Sequence, residues 1–287
     1  MPIEPTSDLT SWIGKTETVH DVATATPYAA LCATLDRPAG RPPAGTPLPP
    51  LWHWLYFLPL YRQSDLGPDG HANRGGFLPP VPLPRRMWAG SQFEFHGALH
   101  VGDRLTRVST IAAVSQKSGR SGPLVFVKVR HEVSANGETT PALIEFHDIV
   151  YREAPKPDDV VPAPRPAPDA SQWARRWIPD DVLLFRYSAL TFNGHRIHYD
   201  RRYVTEVEGY PGLVVHGPLI ATLLLDSLRS ELPEARVTKF EFRAVRPLFD
   251  TAPFDVCGDR LPDGKRVHLW ARDDQGYLAM DATATLD

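Results

Sequence analysis

Two hydrophobic patterns recur along this chain, and each occurs in both halves. The first is an apolar stretch of helical length, as in residues 217–232, where GPLIATLLLDSLRSEL is apolar on most faces. The second is a series of strand-length runs separated by turn sequences, such as Asn136-Gly137. An apolar helix followed by three or four long antiparallel strands describes a sheet wrapped round a helix. The pattern therefore predicts an α+β fold in which this arrangement occurs twice.

In the N-terminal half, the pattern predicts a strand, a helix, a buried helix and then four strands. The first helix is expected at Pro27–Leu35 with Thr26 as its N-cap, because proline suits the first helical position. The second is expected at Leu51–Leu58, which is apolar nearly all round. The predicted strands are residues 17–25, 93–96, 103–114, 124–134 and 142–153.

The C-terminal half repeats this order of elements. One helix is expected to begin at Pro179–Asp180 and to run to Thr191, and the apolar helix at 217–232 follows it. The predicted strands are residues 173–178, 236–247, 252–259, 266–273 and 277–286. Gly-Asp and Asp-Gly turns separate most of them.

Prolines divide the chain between the two halves. They concentrate in residues 38–50, 79–84 and 155–167. The third stretch, APKPDDVVPAPRPAP, is typical of a linker, because proline-dense polar sequence cannot continue a helix or a central strand. The predicted organisation is an N-terminal module at 1–154, a linker at 155–172 and a C-terminal module at 173–287.

Composition narrows the class of protein. The hydrophobic fraction of 42% and the charged fraction of 23% are those of a globular protein. The net charge of −3, with both signs scattered, argues against nucleic acid or an anionic membrane as the main partner. Cys32 and Cys257 form no CxxC pattern, and the longest apolar stretch, Leu51–Leu60, is too short to span a bilayer. We therefore expect a soluble cytoplasmic protein.

The segment 187–200, YSALTFNGHRIHYD, has the highest density of chemically active side chains. A solvated polar turn is the alternative reading, but the interleaved aromatic and aliphatic residues favour partial burial. A second segment, GYPGLVVHGP at 209–218, opens the apolar helix and offers backbone N–H groups to a developing negative charge. The candidate site residues in these segments are Tyr187, Asn193, His195, Arg196, His198, His216 and Gly217.

Together the two segments resemble the signature of the MaoC-like, R-specific enoyl-CoA hydratase family. That signature runs Ser-Gly-Asp-x-Asn-Pro-Ile-His, with a glycine further on at the start of the central helix. Here Ile197, His198 and Gly217 match it. The departures are Thr191 for serine, Phe192 for glycine, Asn193 for the catalytic aspartate, His195 for asparagine and Arg196 for proline.

The variant Phe-Asn-x-His-Arg-Ile-His-Tyr-Asp resembles one branch of that family, the 3-hydroxyacyl-thioester dehydratases and the mesaconyl-CoA and itaconyl-CoA hydratases. Residues 87–105 and 118–133 resemble the N-terminal module of the same branch. The resemblance implies a double hotdog fold, with two antiparallel sheets each wrapped round a central helix. It also implies one active site per chain, in the C-terminal module, and a dimer. The acyl-CoA is the substrate, and no cofactor is expected.

The resemblance and the chemistry together suggest roles for the candidates. His198 matches the family histidine and can act as general acid or base, and the N–H of Gly217 would bind the thioester oxygen. An amide cannot act as a base, so Asn193 can only orient groups, and Glu94 or Asp200 could replace the missing carboxylate. Other expected substrate contacts are Tyr187, His195, Arg196 for a distal carboxylate, His216 as pocket lining, and Arg85, Arg86, Lys117 and Arg120 for CoA phosphates.

Several functions remain open at this point. A hydratase of a C4–C5 dicarboxylic acyl-CoA leads, followed by a dehydratase of monocarboxylic 3-hydroxyacyl thioesters and by a non-catalytic acyl-binding subunit. A thioesterase is disfavoured because the apolar helix carries Asp226 late and no acid near its start.

His195 and His198 form HxxH, which is weak as a metal signature, and no metal is expected. The segment 67–76, GPDGHANRGG, lacks the Lys-Ser/Thr of a phosphate loop and is expected to be a mobile loop.

Overall fold

A computed structural model describes residues 8–38, 40–119, 122–154 and 163–287. The strands are β1 Thr16–Val22, β2 Arg85–Phe95, β3 Arg104–Gly119, β4 Gly122–Ala135, β5 Leu143–Arg152, β6 Trp173–Trp177, β7 Val237–Ala244, β8 Phe254–Arg260, β9 Arg266–Asp273 and β10 Leu278–Leu286. The α-helices are α1 Ala25–Thr34, α2 Asp181–Leu190 and α3 Gly217–Glu231. Each predicted strand therefore overlaps an observed one, although β2 begins eight residues before the prediction because its first half does not alternate in polarity.

All ten strands form one antiparallel sheet, in the order β1-β3-β4-β5-β2-β7-β10-β9-β8-β6. Read from either edge towards the centre, the order is first, third, fourth, fifth and second strand of that half. The two halves thus share one topology, as expected from their common pattern. They meet where β2 pairs with β7, from Gly90↔Arg243 to Glu94↔Lys239. This pairing joins the two expected sheets edge to edge into one.

Among the described residues, the long apolar helix is found in the C-terminal half alone. In the C-terminal half, α3 packs against β8 and β9, and its residues from Leu219 to Leu228 are buried. In the N-terminal half, the predicted helix Leu51–Leu58 is replaced by a short 3-10 helix, Trp52–Leu55. Leu51 and Phe57 have φ of 70° and 56°, and residues in this left-handed region end a right-handed helix on both sides.

The other two helices pack against each other across the two halves. Helix α1 has Thr24 as its N-cap, two residues before the predicted Thr26, so that Pro27 lies in its first turn. Helix α2 begins as predicted after Asp180, whose Oδ1 accepts the backbone N–H of Leu183 at 2.7 Å. Such a cap contributes about 1 kcal/mol. Helix α2 therefore has a fixed start and delivers the segment that follows it to a defined place.

One main core spans both halves. At the β2–β7 junction, the ring of Phe93 lies 6.1 Å from that of Phe240 and 6.4 Å from that of Phe242, so the halves share buried aromatic area. Within the predicted linker, residues 155–162 lie outside the described residues, while Pro166 bridges to Tyr277. The two-module division stays a prediction. None of the helices in the described ranges combines the length and the apolar character needed to cross a bilayer.

Candidate functional site

The two motif segments meet beside the start of α3. Residues 196–198 form a short 3-10 helix after α2, and the backbone N–H of Val214 donates to the carbonyl of Ile197 at 3.0 Å. Val214 also bridges to Phe249, which ties the second segment to the connection between β7 and β8. The sequence therefore places the loop that carries His195 and His198, called the histidine loop below, beside the N-terminus of a helix, as the motif predicts.

His198 has one ring nitrogen anchored and the other free for chemistry. The side chain is 8% exposed, and Nδ1 lies 2.7 Å from the carbonyl oxygen of Val214. A carbonyl only accepts, so Nδ1 carries the proton and Nε2 keeps its lone pair. Burial lowers the pKa of His198 to about 4, although the Val214 carbonyl raises it. The imidazole is therefore neutral at physiological pH and able to accept a proton at Nε2.

His216 and Tyr187 form the inner wall behind His198. The His216 ring is fully buried and stacks on His198 with centroids 3.8 Å apart, and its Nε2 lies 2.8 Å from Oγ of Ser188. Burial holds its pKa well below the ordinary value. Tyr187 packs edge-on against His216 at 5.0 Å, and burial raises its pKa. Both groups thus fix the plane of the His198 ring and do not titrate near neutral pH.

The residues at the family's Gly-Asp positions hold the loop in shape. Phe192 has φ of 50°, which is the left-handed conformation that glycine adopts freely and a bulky residue adopts only with strain. Asn193 accepts the backbone N–H of His195 through Oδ1 at 3.0 Å, and its own N–H donates to the Ser188 carbonyl at 2.8 Å. The oxygen of Asn193 is therefore engaged in the turn, and its amide nitrogen donates to no group among the described residues.

Gly217 begins α3, directly after His216 at the N-cap. The first N–H groups of a helix have no intrahelical acceptor, and Pro218 contributes none, so the N–H groups of Gly217 and Leu219 are the first donors. A Cβ at Gly217 would meet no heavy atom within 4 Å, so the space beside it is open. An oxygen that gains negative charge would be stabilised there by these donors and by the helix dipole.

The segment 67–76, expected to be a mobile loop, lies against the histidine loop instead. The backbone N–H of Arg196 donates to the Asp69 carbonyl at 2.9 Å, and its guanidinium donates to the Pro68 carbonyl at 2.8 Å. Gly70 has φ of 87°, and a side chain there would overlap the carbonyl oxygen of Gly194. The approach of the two backbones therefore requires glycine at position 70, and it brings two more polar side chains to the site.

Those side chains are Asp69 and His71, which the sequence analysis did not select. Oδ2 of Asp69 lies 3.0 Å from Nδ1 of His71, and the His71 ring lies 4.0 Å from that of His195. The hydrogen bond with His71 lowers the pKa of Asp69 far below its usual range. Burial lowers the pKa of His71 despite that bond, and burial lowers the pKa of His195 to about 2. One carboxylate and two neutral imidazoles thus converge, with ligand atoms within 4.8 Å of one another, a set that could also hold a metal ion.

Several predicted candidates lie away from this centre. Arg196 donates to Oδ2 of Asp200 at 2.8 and 3.0 Å, so the two residues form an ion pair and their charges balance each other. Glu94 sits on the outer face of β2, half exposed, beside His96 and Lys239. Arg120 lies outside the described residues. The structure thus brings Tyr187, Asn193, His195, His198, His216 and Gly217 together, holds Arg196 at the rim and leaves Glu94 apart.

The N-terminal half holds a buried polar layer of its own. Glu145 is 3% exposed and accepts hydrogen bonds from Trp54 at 3.2 Å and Ser91 at 3.1 Å, with His53 at 3.3 Å. Burial raises the pKa of Glu145, but the bond with His53 and the neighbouring histidines bring it to about 2. No local pattern reveals this layer, because His53 and Trp54 come from the short 3-10 helix, Ser91 from β2 and Glu145 from β5, and only the tertiary fold brings them together.

Comparisons with known proteins agree with this geometry. The family model for hydroxyacyl-thioester dehydratase type 2 matches residues 51–250. The chain is 48% identical over 283 residues to mesaconyl-C(4)-CoA hydratase of Chloroflexus aurantiacus, covering 98% of each. Its fold matches the crystal structure of HtdX of Mycobacterium tuberculosis with a TM-score of 0.66, at 17% identity over 94% of this chain and 98% of that one. It also matches a second M. tuberculosis protein with a double hotdog fold at a TM-score of 0.54, at 15% identity and 96% of each chain. The double hotdog prediction is confirmed.

Proposed function

The chain belongs to the hydroxyacyl-thioester dehydratase type 2 family, within the MaoC-like hydratases and dehydratases, and from that premise we propose that it reversibly hydrates a C5 dicarboxylic 2-enoyl-CoA of the mesaconyl- or itaconyl-CoA type. The observation that carries the proposal is the free Nε2 of His198 beside the start of α3. The relative named as a mesaconyl-C(4)-CoA hydratase, 48% identical over nearly the whole chain, supports the choice of substrate.

The geometry supplies what the reaction needs at the thioester. Nε2 of His198 takes a proton from water as the water oxygen bonds to C3, and the electrons of the double bond move towards the thioester oxygen. The N–H of Gly217 and the N-terminus of α3 stabilise the charge on that oxygen. Asn193 orients the water or the carbonyl through its amide nitrogen. The reaction is redox-neutral, so the proposal includes no cofactor.

A distal carboxylate needs a cation that is not already paired. Arg196 is engaged by Asp200, but Arg86 offers an alternative at the interior face of β2. Arg86 lies opposite Tyr151, whose side chain is 2% exposed, so the arginine points into the same interior. Burial is the main cause that lowers the pKa of His71, His147 and His195, and the charge of Arg86 lowers each of them further. We propose Arg86 as the residue that binds the distal carboxylate.

The test is a substrate panel. Purified protein is mixed with mesaconyl-CoA, itaconyl-CoA and crotonyl-CoA, and the hydrated product is followed by mass. We expect turnover of at least one dicarboxylic ester, and a fall of roughly 10²–10⁴-fold in His198→Ala, the range for loss of a general acid or base. His96→Ala, which removes a half-exposed histidine far from the site, is the control and should keep full activity.

A second candidate is the dehydration of monocarboxylic 3-hydroxyacyl thioesters, favoured by the description of the matching family model. A preference for crotonyl-CoA over both dicarboxylic esters would support it. A protein that binds these esters without turning any over would instead be a binding subunit. The homodimer stays a prediction by analogy, which light scattering on the purified protein would test.

A further inference from the structure

Adding water across a double bond requires two proton transfers, one from water and one to C2. His198 accounts for the first. The family residue that would assist with the second is replaced by Asn193, whose amide does not ionise. The carboxylates considered from sequence are also unsuited, because Asp200 is paired with Arg196 and Glu94 lies on the outer face. Of the other motif histidines, His216 is fully buried and burial lowers the pKa of His195 to about 2, so the motif residues alone leave the site one acid–base group short.

We propose that His71 is this second proton-transfer group and that Asp69 positions it; the proposal rests on the hydratase function proposed above. Both residues come from the segment 67–76 of the N-terminal half, which lies against the histidine loop of the C-terminal half. One active site would then be built from both halves of the chain.

The Asp69–His71 pair has the geometry of an oriented base. Oδ2 of Asp69 lies 3.0 Å from Nδ1 of His71, and Oδ1 accepts the backbone N–H of the same residue at 3.0 Å. A carboxylate with a strongly lowered pKa only accepts hydrogen bonds, so Nδ1 carries the proton and Nε2 keeps the lone pair. A carboxylate in this place fixes the tautomer and stabilises the imidazolium when the ring gains a proton. His71 and His198 thus present the same free atom, Nε2, with Nδ1 held in each case.

The position of His71 fits a substrate lying between the two rings. Its ring is 4.0 Å from His195, and the His195 ring is 5.6 Å from His198 and perpendicular to it. The His195 ring therefore lies near both the His71 ring and the His198 ring. The His71 side chain is 24% exposed, so it can exchange its proton with solvent between turnovers.

The charged and titratable groups facing His71 come from three segments. Asp69 on its own segment favours the protonated ring, while Arg74 on that segment and Arg86 on β2 oppose it. His195 on the histidine loop packs against it and stays neutral. Asp69 is thus the group that stabilises a transient positive charge on His71.

In the dehydration direction, Nε2 of His71 takes the proton from C2, and the electron pair of that C–H bond forms the double bond to C3. The C3–O bond breaks, and the departing hydroxide takes a proton from the His198 imidazolium and leaves as water. Hydration is the reverse and starts with His71 protonated at Nε2 by solvent and with His198 neutral: His198 takes a proton from water as the oxygen bonds to C3, and His71 gives its Nε2 proton to C2. Each direction transfers one proton to the enzyme and one from it, and exchange with solvent restores both rings.

The experiment compares His71→Gln and Asp69→Asn with Asp65→Asn, which removes a half-exposed carboxylate from the same part of the chain. We expect kcat of His71→Gln to fall roughly 10²–10⁴-fold with little change in KM. Asp69→Asn should lower kcat less and move the pH limit set by His71 to lower pH, because the variant loses the charge that raises the pKa of His71. Added imidazole should partly restore His71→Ala, and Asp65→Asn should match the wild type.

The outcomes separate this inference from the proposed function. A wild type that turns over its ester, together with a His71→Gln variant of unchanged kcat, overturns the role of His71 and leaves the hydratase intact. A wild type inactive on all three esters overturns the hydratase proposal and the role of His71 with it. Equal losses in His71→Gln and Asp69→Asn with no shift of the pH profile would point to a structural role. Activity that follows zinc content and is lost on chelation would assign the cluster to a metal instead.

Discussion

In our proposal, Arg86 is the residue that determines which acyl-CoA the protein prefers. Across the described part of the chain, no carboxylate oxygen lies within 4.0 Å of its guanidinium, whereas the adjacent Arg85 pairs with Glu208. An unpaired interior cation is costly unless a ligand supplies the opposite charge. The free carboxylate of a dicarboxylic acyl group would do so, and a planar guanidinium can bind it through two parallel hydrogen bonds.

We therefore predict that Arg86→Gln raises KM for the preferred dicarboxylic ester by roughly 10- to 100-fold, since a hydrogen bond to a charged group contributes about 1.5–3 kcal/mol. Crotonyl-CoA carries no second carboxylate, so its KM should change little in the same variant, and steady-state kinetics on both esters check this. Arg86→Lys keeps the charge but not the bidentate geometry and should be intermediate. Equal effects on both esters would show that Arg86 acts on the histidines and not on the carboxylate.

The site residues that could be predicted from the sequence are those that lie close together along the chain, in one short motif. Tyr187, His195, His198, His216 and Gly217 lie within about thirty positions, so a loop and the next helix start bring them together. Asp69, His71 and Arg86 reach the same centre from more than 100 residues away, through tertiary contacts that leave no local pattern. Even the doublet Arg85-Arg86 does not say which arginine points inwards, because the bulge between Trp88 and Gly90 shifts the alternation along β2.

At the level of elements, the contact between the segment 67–76 and the histidine loop is made by backbone. Gly70 approaches Gly194 so closely that any Cβ would overlap its carbonyl oxygen, and the overlapping atom is backbone that cannot turn aside. Gly75, in the same segment, has a similar φ of 93° but open space around it. Alanine at either position bears a left-handed strain of about 1–2 kcal/mol, and only Gly70→Ala adds the overlap.

We predict that Gly70→Ala lowers kcat by at least as much as Asp69→Asn, because it pushes Asp69 and His71 away from His195. Gly75→Ala should keep near-normal kcat while losing a similar amount of stability from strain alone. Thermal melts and kinetics on the two variants separate these effects. A Gly70→Ala variant with normal kcat would mean that the segment 67–76 does not contribute to the chemistry.

Element prediction succeeded where polarity alternates and failed where the backbone is irregular. The strand predicted at 266–273 coincides with β9, because turn residues mark both of its ends in the sequence. The helix predicted at Leu51–Leu58 failed because an all-apolar run shows burial but not conformation. The positive φ of Leu51 and Phe57, and the prolines at 49, 50 and 59, leave room for only one short turn.

In the whole molecule, the two halves divide the buried polar groups between them. The C-terminal half buries neutral His198 and His216 at the site, and the N-terminal half buries Glu145 and His53, with the half-buried His131 and His147 nearby. The sequence repeat predicted two similar halves, but not that β2 and β7 would join them in one sheet, since edge pairing depends on which strands are left free. That junction is what brings the N-terminal Arg86 and His71 to a site on the C-terminal helix.

These buried groups predict a stability that falls early on acidification. Burial lowers the pKa of His131 to about 4 and that of His147 to about 3. Below pH 6.5 the unfolded chain protonates these rings while the folded chain does not, so the unfolding free energy falls as pH drops from 6.5 towards 4. Each ring contributes up to about 1.4 kcal/mol per pH unit in that window. Glu145 affects stability at lower pH. Its contribution to the unfolding free energy is fully present above pH 4.5 and is lost as the pH falls towards 2.

Urea unfolding between pH 7.5 and 4.5 would measure this slope. We expect His147→Gln to flatten it, because the variant side chain does not titrate, and His96→Gln, which changes a half-exposed ring, to leave it unchanged. His147→Gln should also weaken the native state at pH 7.5, since the ring packs on Trp88 with centroids 4.0 Å apart. A wild type with constant stability over this range would show that His131 and His147 bind protons equally in the folded and the unfolded chain, and would contradict the effect of burial on their pKa values.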